Sequence, residues 1–331
     1  MDAGSRLAMH ASSLRYLIKV AEFGSIRRAA DALNVASSAV NRQILNIERD
    51  IGVSLFERTV KGVRPTAAGE LMLQHARDTL GGYQRVVDEI ACQAGDIRGG
   101  VRIIGIGSMI EFALPQVMVE VAKRYPGISF HIGDANPGDA VEGLKTQKYD
   151  IGIFFLDHRH RDFELLASVR TSIGAVMRAD HPLAGRQHVT LTECAGHTVA
   201  MFSDRWVIMP LVEAEFQQTG AQFSPRVVTN SMTIMRAAIH NGLGIGFFTP
   251  VGFMDDIRAG KIAYVPLEAR QLPASGIGLF LSRSALASPP VRVVADHLAE
   301  FFKRLQLELD GLRTGGRLEA SRTSLPGAHA P

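Results

Sequence analysis

Ser37, Ser38, Asn41, Arg42 and Arg49 share the side of one helical stretch that lies opposite Val40, Ile44 and Ile47. Hydroxyl and amide groups of that size can hydrogen-bond base edges, and an arginine can bridge guanine or grip a phosphate. Arg27 and Arg28 stand at the start of the preceding stretch. A basic hairpin follows from Leu55 to Thr66, with Gly62 in its turn and Arg58, Lys61 and Arg64 along it. Laid on a duplex, such a wing would set those three cations against the sugar–phosphate backbone. The charges alone are equally compatible with the solvated face of a helical bundle.

Other chemistry is weaker. Gly105-Ile106-Gly107-Ser108-Met109-Ile110 follows a strand pattern, but Ile110 stands where a dinucleotide loop needs its third glycine. No phosphate loop, nucleophile elbow or zinc helix of known spacing is present. Asp157-His158-Arg159-His160-Arg161-Asp162 has ligand-type side chains, yet interleaved arginines repel a cation, so a surface loop is the expectation. Cys92 and Cys194 stand alone, with no CxxC, which fits a reducing compartment. No catalytic residue, metal or cofactor is expected.

These groups need elements to hold them. Leu14, Leu17, Ile18 and Ala21 form one amphipathic stripe, and Ile26, Ala29, Ala30 and Leu33 a second, capped by Ser25. Val40, Ile44, Ile47 and Ile51 form a third, with Ser37 or Ser38 as its cap and Gly52 as its stop. Three short helices with a tight break before the last satisfy a helix-turn-helix. Beyond Thr66, Leu73, Ala76, Leu80, Tyr83, Val87 and Ile90 recur every three or four residues. That repeat suits two helices wound on each other, or one amphipathic helix lying on its own domain.

Gly99-Gly100 reads as a hinge. After it, strand and helix signals alternate, which argues for a parallel α/β sheet: Val101–Ile106, Phe112–Tyr125, Ile128–Ile132, Ala140–Lys145 and Ile151–Phe155. Further strands are expected at Ser172–Arg178, Thr198–Phe202, Arg226–Thr229, Gly244–Phe248 and Gly276–Leu281, and a last helix after Pro289-Pro290. Ligands of open α/β sheets sit at the carboxyl ends of strands, beside helix N-termini. Ser108, Met109, Phe155, Ser203, Asn230 and Ser231 fall at such places. Each is equally consistent with a helix cap or a core residue.

The chain has 331 residues, 46% hydrophobic and 21% charged, enough apolar material for a large core. No apolar run approaches the roughly 18–20 residues of a membrane span. The net charge of +3 is uninformative until it is resolved by segment. Residues 12–66 hold nine Lys/Arg against five Asp/Glu, a surplus of +4, so the remainder is slightly acidic.

The run from Ser25 to Ile44, with Glu48, Gly52, Leu55-Phe56-Glu57-Arg58 and Thr66-Ala67-Ala68-Gly69, resembles the winged helix-turn-helix of LysR-type transcriptional regulators. Weaker echoes at His181-Pro182-Leu183-Ala184 and Gly242-Leu243-Gly244-Ile245-Gly246 extend the likeness over nearly the whole chain. The resemblance implies a two-lobed, periplasmic-binding-protein-like sensor and an assembly built from dimers. It also implies Arg42 as a base or phosphate contact, Arg58 as a phosphate contact, Thr66 as the cap of a linker helix, and effector contacts at the six strand-end residues. Ser37 and Asn41 depart from the family's usual residues, so the operator sequence is not implied.

The expected fold class is α/β overall. An all-α winged helix-turn-helix (12–66) follows a flexible start (1–11) and leads to a linker and dimerisation helix (67–98). A two-lobed α/β effector domain comes next (99–310; lobe I 99–169 and 268–310, lobe II 170–267), then a disordered tail (311–331). The expected function is that of a cytoplasmic regulator binding double-stranded operator DNA and a small, polar or anionic effector. Its partners would be a second copy or three more of itself and RNA polymerase, with no membrane. The competing readings are a small-molecule-binding module without an operator and a nicotinamide-dependent oxidoreductase.

Overall fold

A computed structural model describes residues 11–59, 62–93, 97–135, 137–156, 163–203, 214, 217–218, 220, 225–268, 275–282, 285 and 288–313. Lys61, the 157–162 run, residues 1–10 and the tail from 314 lie outside the described residues.

Helices α1 (Ala11–Phe23), α2 (Ile26–Leu33) and α3 (Ser37–Ile51) are followed by the hairpin β1 (Phe56–Thr59) and β2 (Gly62–Pro65). Leu17, Val20, Ala29, Ala30, Val40, Ile44 and Leu55 close one small core. The predicted stripes are therefore the buried faces, except that Ile51 at the end of the third is 44% exposed, and removing them from water drives the three helices together. Two details differ from expectation. Helix α1 already begins at Ala11, and α3 begins at Ser37 itself, with Ala36 as N-cap and no side-chain cap bond. Neither serine hydroxyl is spent on capping.

Helix α4 (Ala67–Gln93) has 27 residues, about 40 Å at 1.5 Å per residue. The next described element is β3 (Arg98–Gly105), so Gly99-Gly100 lies inside a strand rather than a free hinge. Gly99 has φ +146°, and a Cβ there would come within 3.1 Å of both the Asp88 carboxyl carbon and Pro290. Gly99 admits close packing of the linker helix and the C-terminal helix on this strand.

The first lobe continues through α5 (Gly107–Arg124), β4 (Gly127–Asp134), α6 (Pro137–Lys145), β5 (Ile151–Phe155) and β6 (Glu164–Thr171). The second lobe carries β7 (Gly174–Arg178), α7 (Leu191–Ala195), β8 (Val199–Phe202), β9 (Pro225–Thr229), α8 (Met232–His240), β10 (Gly246–Phe248), α9 (Met254–Arg258) and β11 (Ile262–Pro266). The chain returns to the first lobe with β12 (Ser275–Leu281) and ends on α10 (Pro289–Arg313).

The first sheet has the order β4-β3-β5-β12-β6. Strand β3 runs parallel to β4 and β5, whereas β12 runs antiparallel to β5 and β6. The sheet is mixed, not parallel as its alternating signals suggest. The chain leaves for the second lobe along β6 and re-enters on β12, and an outgoing and a returning strand pair head to tail. β5 is buried along its whole length, as expected of a strand covered on both faces. In the second lobe β7 lies between β10 and β11, both antiparallel to it, and β8 pairs with β9 in parallel. Strands β6 and β11 have no counterpart in the sequence reading, although Ile262-Ala263-Tyr264-Val265 of β11 is a short apolar run.

Candidate nucleic-acid interface and ligand cleft

Helix α3 buries Val40, Ile44 and Ile47 and turns Ser37, Ser38 and Arg42 to solvent, with Asn41 half-buried. Leu45, 54% exposed, extends the same surface one turn beyond Asn41 and Arg42. It is not among the DNA contacts expected from the sequence, where it stands only as a departure from the family's usual basic or polar residue; its signal is that it falls off the buried stripe. Arg49 is tied down along the helix by a 2.9 Å bond to Asn46 Oδ1.

Ser25 Oγ accepts the Arg28 backbone N–H, as a cap should, and Asn34 ends α2 in the left-handed region at φ 54°. Arg27 and Arg28 are exposed, and the Arg28 guanidinium lies 5.4 Å from the Phe23 ring centre. That cation–π contact holds one of the two cations in place.

The hairpin is fastened at both ends. Glu48 Oε1 accepts the backbone N–H of Leu55 (2.7 Å) and of Phe56 (3.1 Å), so α3 anchors the start of β1. Val63 N–H donates to Gly24 O at 2.8 Å, bringing β2 against the α1–α2 turn. Thr66 Oγ1 donates to Ser54 O at 2.8 Å and accepts Gly69 N–H at 3.0 Å, which makes it the cap of α4.

Arg58 and Arg64 are both exposed, but Arg58 pairs with Val63 and Arg64 with Glu57. Cross-strand partners share a face and neighbours along a strand alternate. The two arginines therefore leave opposite faces of the ribbon, contrary to one row of cations along the wing. Lys61 is outside the described residues.

Helix α4 changes character along its length. Leu73 and Ala76 are buried in the helix-turn-helix unit, and Leu80 is half-buried. Tyr83, Val87 and Ile90 are 68%, 39% and 63% exposed, and Val86 beside them 53%. The seven-residue seam divides into a half packed on its own domain and a half that faces outward. The N-terminal half thus fits one helix lying on its own domain, and the C-terminal half leaves its apolar side chains uncovered within the protomer.

Between the lobes, Ser108 is half-buried in the first turn of α5, and Phe155, 8% exposed, ends β5. Ser203 is exposed just past β8, and its N–H donates to Thr229 O at 3.0 Å, beside the exposed Asn230. Ser231 caps α8 through the Ile234 N–H. Gly252 joins these parts: a Cβ there would lie 3.1 Å from Ser108 Cβ and 2.8 Å from Met232 Cε. The N-termini of α5 and α8 thus meet around one glycine. Met109 is different; it is wholly buried in the core, where it packs rather than faces the cleft.

Arg236 of α8 was not foreseen. Its guanidinium donates to Gly252 O, stands 3.6 Å from Glu111 on α5 and 3.8 Å from Asp256, and lies 6.0 Å from the Phe253 ring centre. It links the second lobe to α5 behind the cleft. Only its position one turn into a capped helix hints at such a role. Among the described residues, no three His, Cys, Asp or Glu side chains gather to hold a metal ion, and no helix is long and apolar enough to cross a membrane.

Residues 94–303 match the family described as LysR substrate binding domain, and residues 11–70 match Bacterial regulatory helix-turn-helix protein, lysR family. The chain is 26% identical over 304 residues to the Hydrogen peroxide-inducible genes activator of Escherichia coli, covering 92% of this chain and 97% of that protein. A full-length OxyR variant from Pseudomonas aeruginosa superposes with a TM-score of 0.66 at 19% identity, over 88% of this chain and 94% of that one. Full-length CbnR in complex with its target DNA gives 0.56 at 21% identity, over 89% and 100%. Helix-turn-helix, linker helix and two-lobed α/β domain follow one another here in the same chain, and the two family matches together span nearly all of it; this protein belongs to the LysR family of DNA-binding transcriptional regulators.

Proposed function

We propose that this regulator acts in the cytoplasm, where a dimer, alone or paired into a tetramer, reads two operator half-sites. The exposed face of α3 carries the proposal: Ser37, Ser38, Asn41, Arg42 and Leu45 present hydroxyl, amide, guanidinium and apolar groups together. That set suits base edges and the thymine methyl in a major groove. Arg27, Arg28, Arg58 and Arg64, with Lys61, supply phosphate contacts. The outward half of α4 joins two copies, which makes an imperfect palindrome the expected operator. RNA polymerase is the further partner of a regulator so placed.

The effector occupies the cleft near Ser108, Phe155, Ser203, Asn230 and Ser231. Hydroxyl and amide donors suit a small polar or anionic ligand, and Phe155 an apolar portion. The ligand acts by binding one lobe arrangement more tightly than the other, since only differential affinity shifts an equilibrium.

The relative's name raises a response to hydrogen peroxide, and a thiol switch at Cys194 is disfavoured as its route. Thiol chemistry needs the thiolate. Cys194 is wholly enclosed, and burial first, then the nearby Glu193 charge, pushes its thiol up to about 12. The direct test is a mobility-shift assay of the full chain with DNA flanking its own gene against random DNA at physiological salt. Preferential binding is expected; equal affinity for both would overturn the reading.

A further inference from the structure

Where α1 and the linker helix face the first lobe, the structure forms a half-open pocket of about 610 Å³, away from the cleft between the lobes. Its walls come from Ile18 and Lys19 of α1, Arg77 and Leu80 of α4, and Tyr149 and Val291 of the lobe. The volume is that of a small-molecule site.

Its charges are unevenly matched. Of the three carboxylates in the wall, Glu22 pairs with Lys19 at 2.8 Å, and Asp150 takes Arg102 on both oxygens at 2.6 and 3.0 Å. Asp88 accepts Gln84 Nε2 at 2.8 Å. Two wall cations are left with no carboxylate partner among the described residues. Arg77 Nη1 is buried and makes no hydrogen bond. Lys148 Nζ lies 5.7 Å from the Tyr149 ring centre. Nη1 itself is closed off from water, so an entering anion would pair with the rest of the Arg77 guanidinium through a charge-assisted bond.

The turn beneath is held for the purpose. Gln147 adopts φ 54°, in a region that non-glycine residues rarely occupy, and its neighbours Tyr149 and Asp150 donate to Gly143 O (3.1 Å) and Arg102 O (2.8 Å). Such strain persists where surrounding structure over-determines it, which is common at ligand clamps. Leu80, Ile18 and Val291 add apolar surface to the same cavity.

We propose that this cavity is a second ligand site, taking a small organic anion whose carboxylate or phosphate group meets Arg77 and Lys148 while its apolar body lies against Leu80 and Val291. Because the walls come from the DNA-binding unit, the linker helix and the sensor, an occupant ties the reading head to the first lobe. The proposal does not depend on the cleft between the lobes.

The test is calorimetric titration of the full-length chain with phenyl phosphate and with phenylacetate, which share a ring and differ in the anionic group. At least one is expected to bind with a dissociation constant below about 1 mM. Arg77→Gln should weaken that binding at least about tenfold, while Arg77→Lys, which keeps the charge, should retain most of it. Ser203→Trp, which crowds the cleft, should leave it unchanged. Lys148→Gln, at an exposed position, gives an independent reading if Arg77→Gln does not fold. The proposal is overturned if neither probe binds, if both cation variants bind as wild type does, or if Ser203→Trp abolishes binding.

Discussion

The Glu48 carboxylate of α3 holds the backbone N–H groups of both Leu55 and Phe56, at 2.7 and 3.1 Å, and so joins the recognition helix to the wing. Removing it leaves two amide donors without partners. Glu48→Ala is expected to destabilise the helix-turn-helix unit by about 2 kcal/mol and to weaken operator binding, because its carboxylate is engaged in fixing the wing. Glu48→Gln keeps an acceptor oxygen and should recover most of both. Thermal unfolding and mobility shift read the two effects; equal loss in both variants would mean the charge, not the bond, matters.

Gly62 meets a harder limit. It sits at φ +128°, and a Cβ would lie 2.3 Å from Gly24 O, the oxygen that accepts Val63 N–H. Gly62→Ala should cost about 1–3 kcal/mol and displace the wing. Gly52→Ala, at φ +83° with open space around it, should cost only about 1 kcal/mol. Denaturant unfolding that ranks the two the other way would refute the packing argument.

Arg58 and Asn41 should fail in different ways. Arg58→Ala is expected to weaken all DNA alike and to lower the slope of affinity against salt by about one. Asn41→Ala should instead change which half-site sequence is preferred. Selection from a randomised duplex pool, run at two salt concentrations, separates these behaviours; indistinguishable variants would erase the distinction.

The two halves of α4 predict opposite phenotypes. Ile90→Glu places a charge on an outward apolar stripe and should raise the dimer dissociation constant at least about tenfold with no loss of protomer fold. Leu73→Glu buries the same charge in the helix-turn-helix core and should unfold that unit. Sedimentation analysis with circular dichroism distinguishes them. An unchanged assembly in Ile90→Glu would place the dimer interface elsewhere.

Cys194 carries a pH signature. Its thiol is raised in the folded chain from 9.0 to about 12, so the folded state holds a proton that the unfolded state releases first. The stabilisation is complete below about pH 9 and declines as pH rises towards 12. Cys194→Ala should flatten that part of the stability profile. At neutral pH iodoacetamide should label Cys92 in the native chain and leave Cys194 untouched until denaturation. Rapid native labelling of Cys194 would restore the thiol switch as a contender.

Local patterns in the sequence were enough for much of this architecture. The stripes of residues 14–51 forecast which faces are buried, because each short helix has one apolar side and one place to put it. Ser25 was readable as a cap, since a hydroxyl three residues before an orphan amide is a local relation, whereas Thr66 as a cap came from the family resemblance. Motifs identified the family, and β5 was legible to its end residues because a strand covered on both faces is apolar throughout. Charge by segment located the DNA reader without any coordinates.

Long-range relations were decided only by tertiary structure. No pattern within residues 98–105 says that Asp88 and Pro290 crowd Gly99 and turn an apparent hinge into strand. Met109 and Ser108 are neighbours in one helical turn, yet packing sent one into the core and left the other at the cleft. The antiparallel return of β12, the opposed faces of Arg58 and Arg64, and the cavity around Arg77 depend on segments far apart in the chain. Periodicity reports whether a side chain is to be buried; which surface buries it is settled by where the rest of the chain folds back.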